Sequence, residues 1–199
     1  MAAAASSHRR GDLDGAERYL RSALRRAEQP GFDQKALAET LQALALVLFE
    51  GQDFEGTGPL LERAVALLEG GPPEEETRLA VLLNSLGLVR TRLGHYDAAL
   101  TAYRRALELF TAHHGAQDER VGRVLANLAG LHMEEGRYPD AEARYRESLA
   151  VLETALGPKH REVGRTLESY AGLLRLMKRT PEAEALEARA KAIYGTASD

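Results

Sequence analysis

The residues best suited to chemistry are six histidines: His8, His95, His113, His114, His132 and His160. An imidazole can hold a metal or move a proton near neutral pH. A metal site needs several such groups converging, with a second layer behind them. His113-His114 has Asp118 nearby, the pattern of a solvated loop. His132-Met133-Glu134-Glu135 lacks the second histidine, one helical turn on, of a zinc protease site. No serine stands in Gly-x-Ser-x-Gly, and neither Gly-x-x-x-x-Gly-Lys-Ser/Thr nor Gly-x-Gly-x-x-Gly occurs. With no cysteine, thiolate catalysis, disulfides and cysteine metal sites are excluded. The expectation is a protein with no catalytic site, no metal and no cofactor.

What remains is recognition chemistry: asparagines, arginines and glutamates spread along helix-forming sequence. The elements that position them follow a period. Val121 to Leu156 reads as two amphipathic helices around a turn at Glu135-Gly136-Arg137. Leu41, Leu83, Leu125 and Leu167 stand 42 residues apart, and Leu44, Leu86, Leu128 and Tyr170 keep the same step. So do Phe54, Tyr96 and Tyr138, and then Ala64, Ala106, Ser148 and Ala190. Self-similarity at such a period is the mark of stacked repeats. The expected boundaries are a short N-terminal segment at 1–10, a half repeat at 11–32, and repeats at 33–71, 74–114, 116–156 and 159–195, all in one domain.

In chain order, Asp12 or Asp14 is expected to cap a first helix with an apolar stripe of Ala16, Leu20, Ala23, Leu24 and Ala27. Its partner helix is missing or reduced to the alanines at 2–5. Gly56, Gly58 and Pro59 predict that the second helix of repeat one begins only near Gly58, since proline belongs in a first turn. Pro139 and Pro181 fall at first-turn positions, with Thr180 as a cap. The last helix has a narrow stripe of Ala183, Leu186, Ala190 and Ile193 among charges, with Glu187 where the others have Tyr103 and Tyr145; it reads as a terminal cap. Residues 195–199 are expected to fray. Small residues recur where helices must cross closely: Ala45, Gly87, Ala129 and Ala171, then Ala99, Ala141 and Ala183. Gly122 and Gly164, each inside a helix, imply the same close approach.

The net charge of −4 gives no footprint for nucleic acid. Residues 31–76 carry ten acids and two bases, a net of −8, while 77–199 carry a net of +2. This reads either as solvated outer faces or as a groove acidic at one end and basic along the rest. No apolar segment follows Met1–Ser7, and no stretch is long enough to span a membrane. The expected location is cytoplasmic, with no membrane partner.

Small-x-x-Leu, then Gly-x-Tyr, then Ala-x-x-x-Tyr-x-x-Ala/Ser-Leu resembles the tetratricopeptide repeat. The 42-residue unit, with Leu156–Val163 and Leu125–Leu131, is similar to the kinesin-light-chain subtype. The resemblance implies an all-α, right-handed alpha-solenoid of antiparallel helix pairs, with about four full repeats. It also implies a concave face, lined by the first helix of each pair, that binds a peptide or helical segment of a protein partner. Carried over, that face has Glu39, Gln42, Leu46 and Glu50, then Val81, Asn84, Ser85, Leu88 and Arg92. It continues with Arg123, Asn127, Gly130 and Glu134, then Arg165, Glu168, Ser169 and Arg175. The residues expected to grip a partner are Asn84, Leu88, Arg92, Arg123, Asn127, Arg165, Glu168 and Arg175. Asparagine offers both donor and acceptor to a peptide backbone, and arginine pairs with carboxylates. Two alternatives stand beside this scaffold. One is an array that self-assembles into a homo-oligomer through an apolar N-terminal edge at Ala16, Leu20 and Leu24. The other is the sensor or regulatory part of a larger protein.

Overall fold

The computed structural model describes residues 13–29 and 31–195. Asp12, the alanines at 2–5, the 1–10 segment, Pro30 and the 196–199 tail lie outside the described residues. Among the described residues all regular structure is helical. The chain divides into two compact units, residues 1–102 and 103–199.

The first unit holds α1 (Leu13–Ala27), α2 (Gln34–Glu50), α3 (Phe54–Leu68), a 3-10 turn at Pro73–Glu75, α4 (Glu76–Arg92) and the start of α5 (Tyr96–His114). The stripe of α1 faces α2: Ala16 and Leu20, 0% and 1% exposed, pack with Leu44, Val47 and Leu48, and Leu24 joins them half-buried. The expected apolar edge is therefore not there, because α1 lays that stripe on its neighbour. The exposed apolar residues at this end are Tyr19 and Phe32.

Helix α3 begins at Phe54, not near Gly58. The Asp53 side chain accepts the Gly56 amide at 2.9 Å, and its carbonyl accepts the Thr57 hydroxyl at 2.5 Å. These bonds start the helix four residues early, and Pro59 sits exposed inside it. Proline has no N–H to give the ladder there, so one bond of the helix is missing.

The second unit holds the rest of α5, α6 (Glu119–Glu134), α7 (Tyr138–Leu156), α8 (Arg161–Leu176) and α9 (Thr180–Gly195). Tyr145, Leu152, Leu167, Tyr170, Leu173 and Ile193 form its core. Only Ala183, Ala190 and Ile193 of α9 are buried, the narrow stripe expected of a terminal helix. Pro139 lies in the first turn of α7. Thr180 is the first residue of α9 rather than the cap before it.

The repeat is visible bond by bond. The amides of Asp53, His95, Arg137 and Arg179 donate to the carbonyls of Leu48, Arg90, His132 and Leu174, each bond closing a helix on the turn that follows. The residue before each amide has a left-handed backbone: Gln52, Gly94, Gly136 and Lys178, with φ of 62, 76, 74 and 61°. Glycine takes that conformation without strain, so the two middle turns are the relaxed ones. Small residues at the crossings are buried as expected, with Ala99, Ala129, Ala141 and Ala171 all 0% exposed.

Candidate functional site

In the first unit, α2 and α4 lie side by side and leave two recesses that share Gln42 and Leu46. The larger is about 600 Å³ and is walled by Lys35, Glu39, Glu75, Arg78 and Val81. The smaller is about 200 Å³ and is walled by Phe49, Leu61, Asn84, Ser85 and Leu88. Leu46 is 52% exposed and Val81 36% exposed. A large apolar side chain held this open is the kind of feature that marks a contact surface when it adjoins concave, partly polar ground. Beside it, Glu75 is 8% exposed and takes Lys35 at 2.8 Å and Arg78 at 3.3 Å. Arg78 reaches on to Glu39 at 2.5 Å, tying α4 to α2. The hydrogen bond to Glu75 holds the Lys35 ammonium above its ordinary value.

Among the expected gripping residues, Asn84 and Leu88 line the smaller recess, and Arg92 is exposed at the end of α4. The second unit treats its set differently. Arg123 is bonded to Glu119 and Arg165 to Glu162, each within its own helix. Glu168 accepts the Tyr194 hydroxyl at 2.9 Å. Arg175 forks onto Glu187 of α9 with two 2.7 Å bonds. That fork holds the Glu187 carboxyl below its ordinary value, at the position where Tyr103 and Tyr145 stand in the two preceding repeats. Exposed pairs of this kind are worth roughly 0–1 kcal/mol, so a ligand carboxylate can exchange with them at small cost. Asn127 is half-buried on α6. It stands 43 residues after Asn84 and shares its register with Ser85 instead.

Two groups of polar residues emerge only from the structure. His160 accepts the Glu162 amide on Nδ1 at 3.2 Å, capping α8 as Asp118 caps α6. The other group centres on Glu142, whose side chain is 13% exposed. It accepts from the Tyr170 hydroxyl at 2.8 Å, Arg146 at 2.6 Å and Arg179 at 2.7 Å. Arg179, with help from Tyr170, holds this carboxyl below its ordinary value against the burial that opposes it. A depressed carboxyl stabilises the fold fully above its unfolded pKa of about 4.3, and that stability is lost as pH falls through the lower folded value. Glu142→Gln is expected to lose about 1–2 kcal/mol at neutral pH and to flatten the acid limb of stability. Urea unfolding across that pH range measures both.

His132 is buried, with Nδ1 3.1 Å from Glu135. Among the described residues no three histidines or carboxylates converge as a metal site would require, and no helix is long and apolar enough to cross a membrane.

Comparison with known proteins bears on the fold. The crystal structure of BtubC (BKLC) from P. vanneervenii superposes with a TM-score of 0.80 at 24% identity, covering 98% of this chain and 78% of its own. A putative kinesin light chain of Podosopora anserina, with nearly identical repeats, gives a TM-score of 0.79 at 15% identity, covering 98% and 92%. Bacillus thuringiensis PlcR, solved in complex with the peptide PapR7 and DNA, gives 0.73 at 11% identity, covering 98% and 68%. No curated protein matches the sequence. At these identities the structures speak for an all-helical solenoid fold alone. The tetratricopeptide repeat model matches residues 37–112, 77–153 and 120–195, which together span most of the chain, and by that match the chain belongs to the tetratricopeptide repeat family.

Proposed function

We propose that the chain binds a segment of a protein partner on the first-helix faces of its repeats, with the α2–α4 recesses as the principal contact. The observation that carries this reading is Leu46, 52% exposed where the two recesses meet. Membership of a family of interaction scaffolds supports it, as does the peptide seen with the similarly folded PlcR. Asn84, Leu88 and Arg92 extend the contact along α4, and Arg123, Asn127, Arg165, Glu168 and Arg175 offer exchangeable polar groups on α6 and α8.

Leu46→Asp tests this directly. Because the side chain is half in solvent, the fold should keep its melting temperature, while capture of the partner from source cells should fall at least about tenfold, the scale set by about 1.4 kcal/mol of lost contact. Equal capture by wild type and Leu46→Asp would sink the reading.

A second reading is self-association. It is favoured by Tyr19 and Phe32, 40% and 48% exposed around a hollow of about 360 Å³ on α1 and α2. A monomeric mass in concentrated solution would exclude it.

A further inference from the structure

The smaller recess has a counterpart in the second unit that is filled. There, Tyr145 of α7 is 2% exposed, and its ring stacks on Tyr170 of α8 at 5.7 Å and 17°. Its hydroxyl pairs with Ser169 and lies 3.9 Å from where a Cβ on Gly130 would stand. The phenol thus occupies the angle between two first helices, α6 and α8, and its polar end points toward the face they present.

Two repeat steps earlier, 84 residues back, the same four positions are Leu61, Leu86, Ser85 and Leu46. Leu61 is shorter than tyrosine by most of a ring and a hydroxyl. Leu61, Ser85 and Leu46 are all walls of the 200 Å³ recess. The recess is the seat that tyrosine fills in the second unit, left open in the first. An apolar cavity of about 150 Å³ is enough to take a benzene ring. Ser85 remains at the hydroxyl end, donating to the Val81 carbonyl at 3.0 Å and keeping lone pairs for a phenol proton.

Resting on the groove reading above, we propose that this recess receives a tyrosine side chain of the bound segment, and that basic residues flank that tyrosine. The ring replaces what Leu61 lacks, and Ser85 takes its hydroxyl. The basic flanks follow from charge: residues 31–76 carry a net of −8, and in the adjoining recess the carboxylates of Glu39, Glu74 and Glu75 outnumber the paired Lys35 and Arg78. A cationic segment meets complementary ground there, whereas an acidic one is repelled.

Two probes test the proposal on the full chain. The first is p-cresol, the tyrosine side chain alone, titrated while the methyl resonances of Leu46, Leu61 and Leu88 are followed. Saturable shifts are expected in wild type. Leu61→Tyr should abolish them, since it closes the seat from within as Tyr145 does. The second is the capped peptide Lys-Lys-Ala-Tyr-Ala-Lys-Lys. It should bind at least about tenfold tighter than its Tyr→Ala version, and Leu61→Tyr should erase that difference. Ser85→Ala, at a half-buried position, should remove the preference for the tyrosine peptide over its phenylalanine version. Shifts that do not saturate, or a tyrosine peptide bound no better than the alanine one, would overturn the proposal. If Leu46→Asp nevertheless loses its partner, the aromatic anchor falls and the groove reading stands. Should Leu61→Tyr fail to fold by circular dichroism, the Ser85→Ala comparison decides alone.

Discussion

Tyr145→Ala is expected to destabilise the protein by about 3–5 kcal/mol, the range for truncating a buried aromatic to alanine. The ring is 2% exposed and sealed between α6, α7 and α8, so its removal leaves a void the helices cannot close without shifting. The stack on Tyr170, with centroids 5.7 Å apart, adds about 0.5–1.5 kcal/mol beyond the area buried. Ser169 is exposed, so it recovers a water partner and adds no penalty of its own. Urea unfolding should show an earlier midpoint at unchanged slope. Two further measurements identify the cause. Burial pushes the Tyr145 phenol up to about 12. A group raised in the folded state contributes fully below its unfolded pKa, near 10, and that contribution is lost as pH rises through the folded value. The alanine variant should therefore show a shallower alkaline loss of stability. It should also regain melting temperature in p-cresol, because a ligand that binds only the folded form stabilises by mass action. Unchanged stability, or a loss that p-cresol leaves untouched, would mean that the ring is not packed as described.

Most of the architecture was legible because stacking forces the same residue type to recur at the same register. Leu41, Leu125 and Leu167 are 0%, 2% and 0% exposed, as an echo of buried positions requires. The turn glycines were legible for a similar reason, since Gly94 and Gly136 take a left-handed backbone that glycine takes without strain. Two local readings failed where one strong local signal was set against several weaker ones. Pro59 pointed to a late start for α3, but the Asp53 cap and the Thr57 hydroxyl bond outweighed it. The stripe on α1 pointed to a free edge, but an apolar stripe does not say which neighbour covers it, and α2 does.

Less of the candidate site could be read. Residue types on the first-helix faces were accessible through the resemblance to the repeat family, including Leu46 and Val81. Their neighbours were not. Glu187 lies 12 residues beyond Arg175 on another helix, and Arg179 lies 37 residues from Glu142, so neither bond leaves a local trace. Leu61 stands in the register of Tyr103 and Tyr145, where by type alone it is one more large apolar filler. That it opens a recess depends on Leu46 and Ser85 meeting it from two different helices. Recurrence carries the scaffold, and departures from recurrence carry the features that distinguish one repeat's surface from the next.

Gly122→Ala sets two principles against each other, and packing is expected to win. In an open helix the change would stabilise by about 1 kcal/mol, because alanine is the better helix former. Gly122 is not in an open helix. A Cβ built on it would lie 2.7 Å from Cγ and 2.8 Å from Cδ2 of Leu152, and 3.3 Å from Val151. Leu152 is 0% exposed in the core of the unit, so it has nowhere to retreat. The Gly122 carbonyl also accepts the Ser148 hydroxyl at 2.7 Å, a buried bond that depends on the same close approach of α6 and α7. Moving the helices apart would relieve the methyl group and break that bond together. Overpacking of this kind costs about 1–3 kcal/mol, and the lost bond adds about 1 kcal/mol. Net destabilisation of about 1–3 kcal/mol is therefore expected by urea unfolding. Gly164→Ala is the control in the same register. The nearest atoms its Cβ would meet belong to the ring of Tyr194, at 2.9 Å, a half-buried side chain on the terminal helix with more room to give than Leu152. It should be nearly neutral in stability while releasing Glu168 from the Tyr194 hydroxyl. Equal effects of the two substitutions would show that helix propensity, and not the α6–α7 contact, governs these glycines.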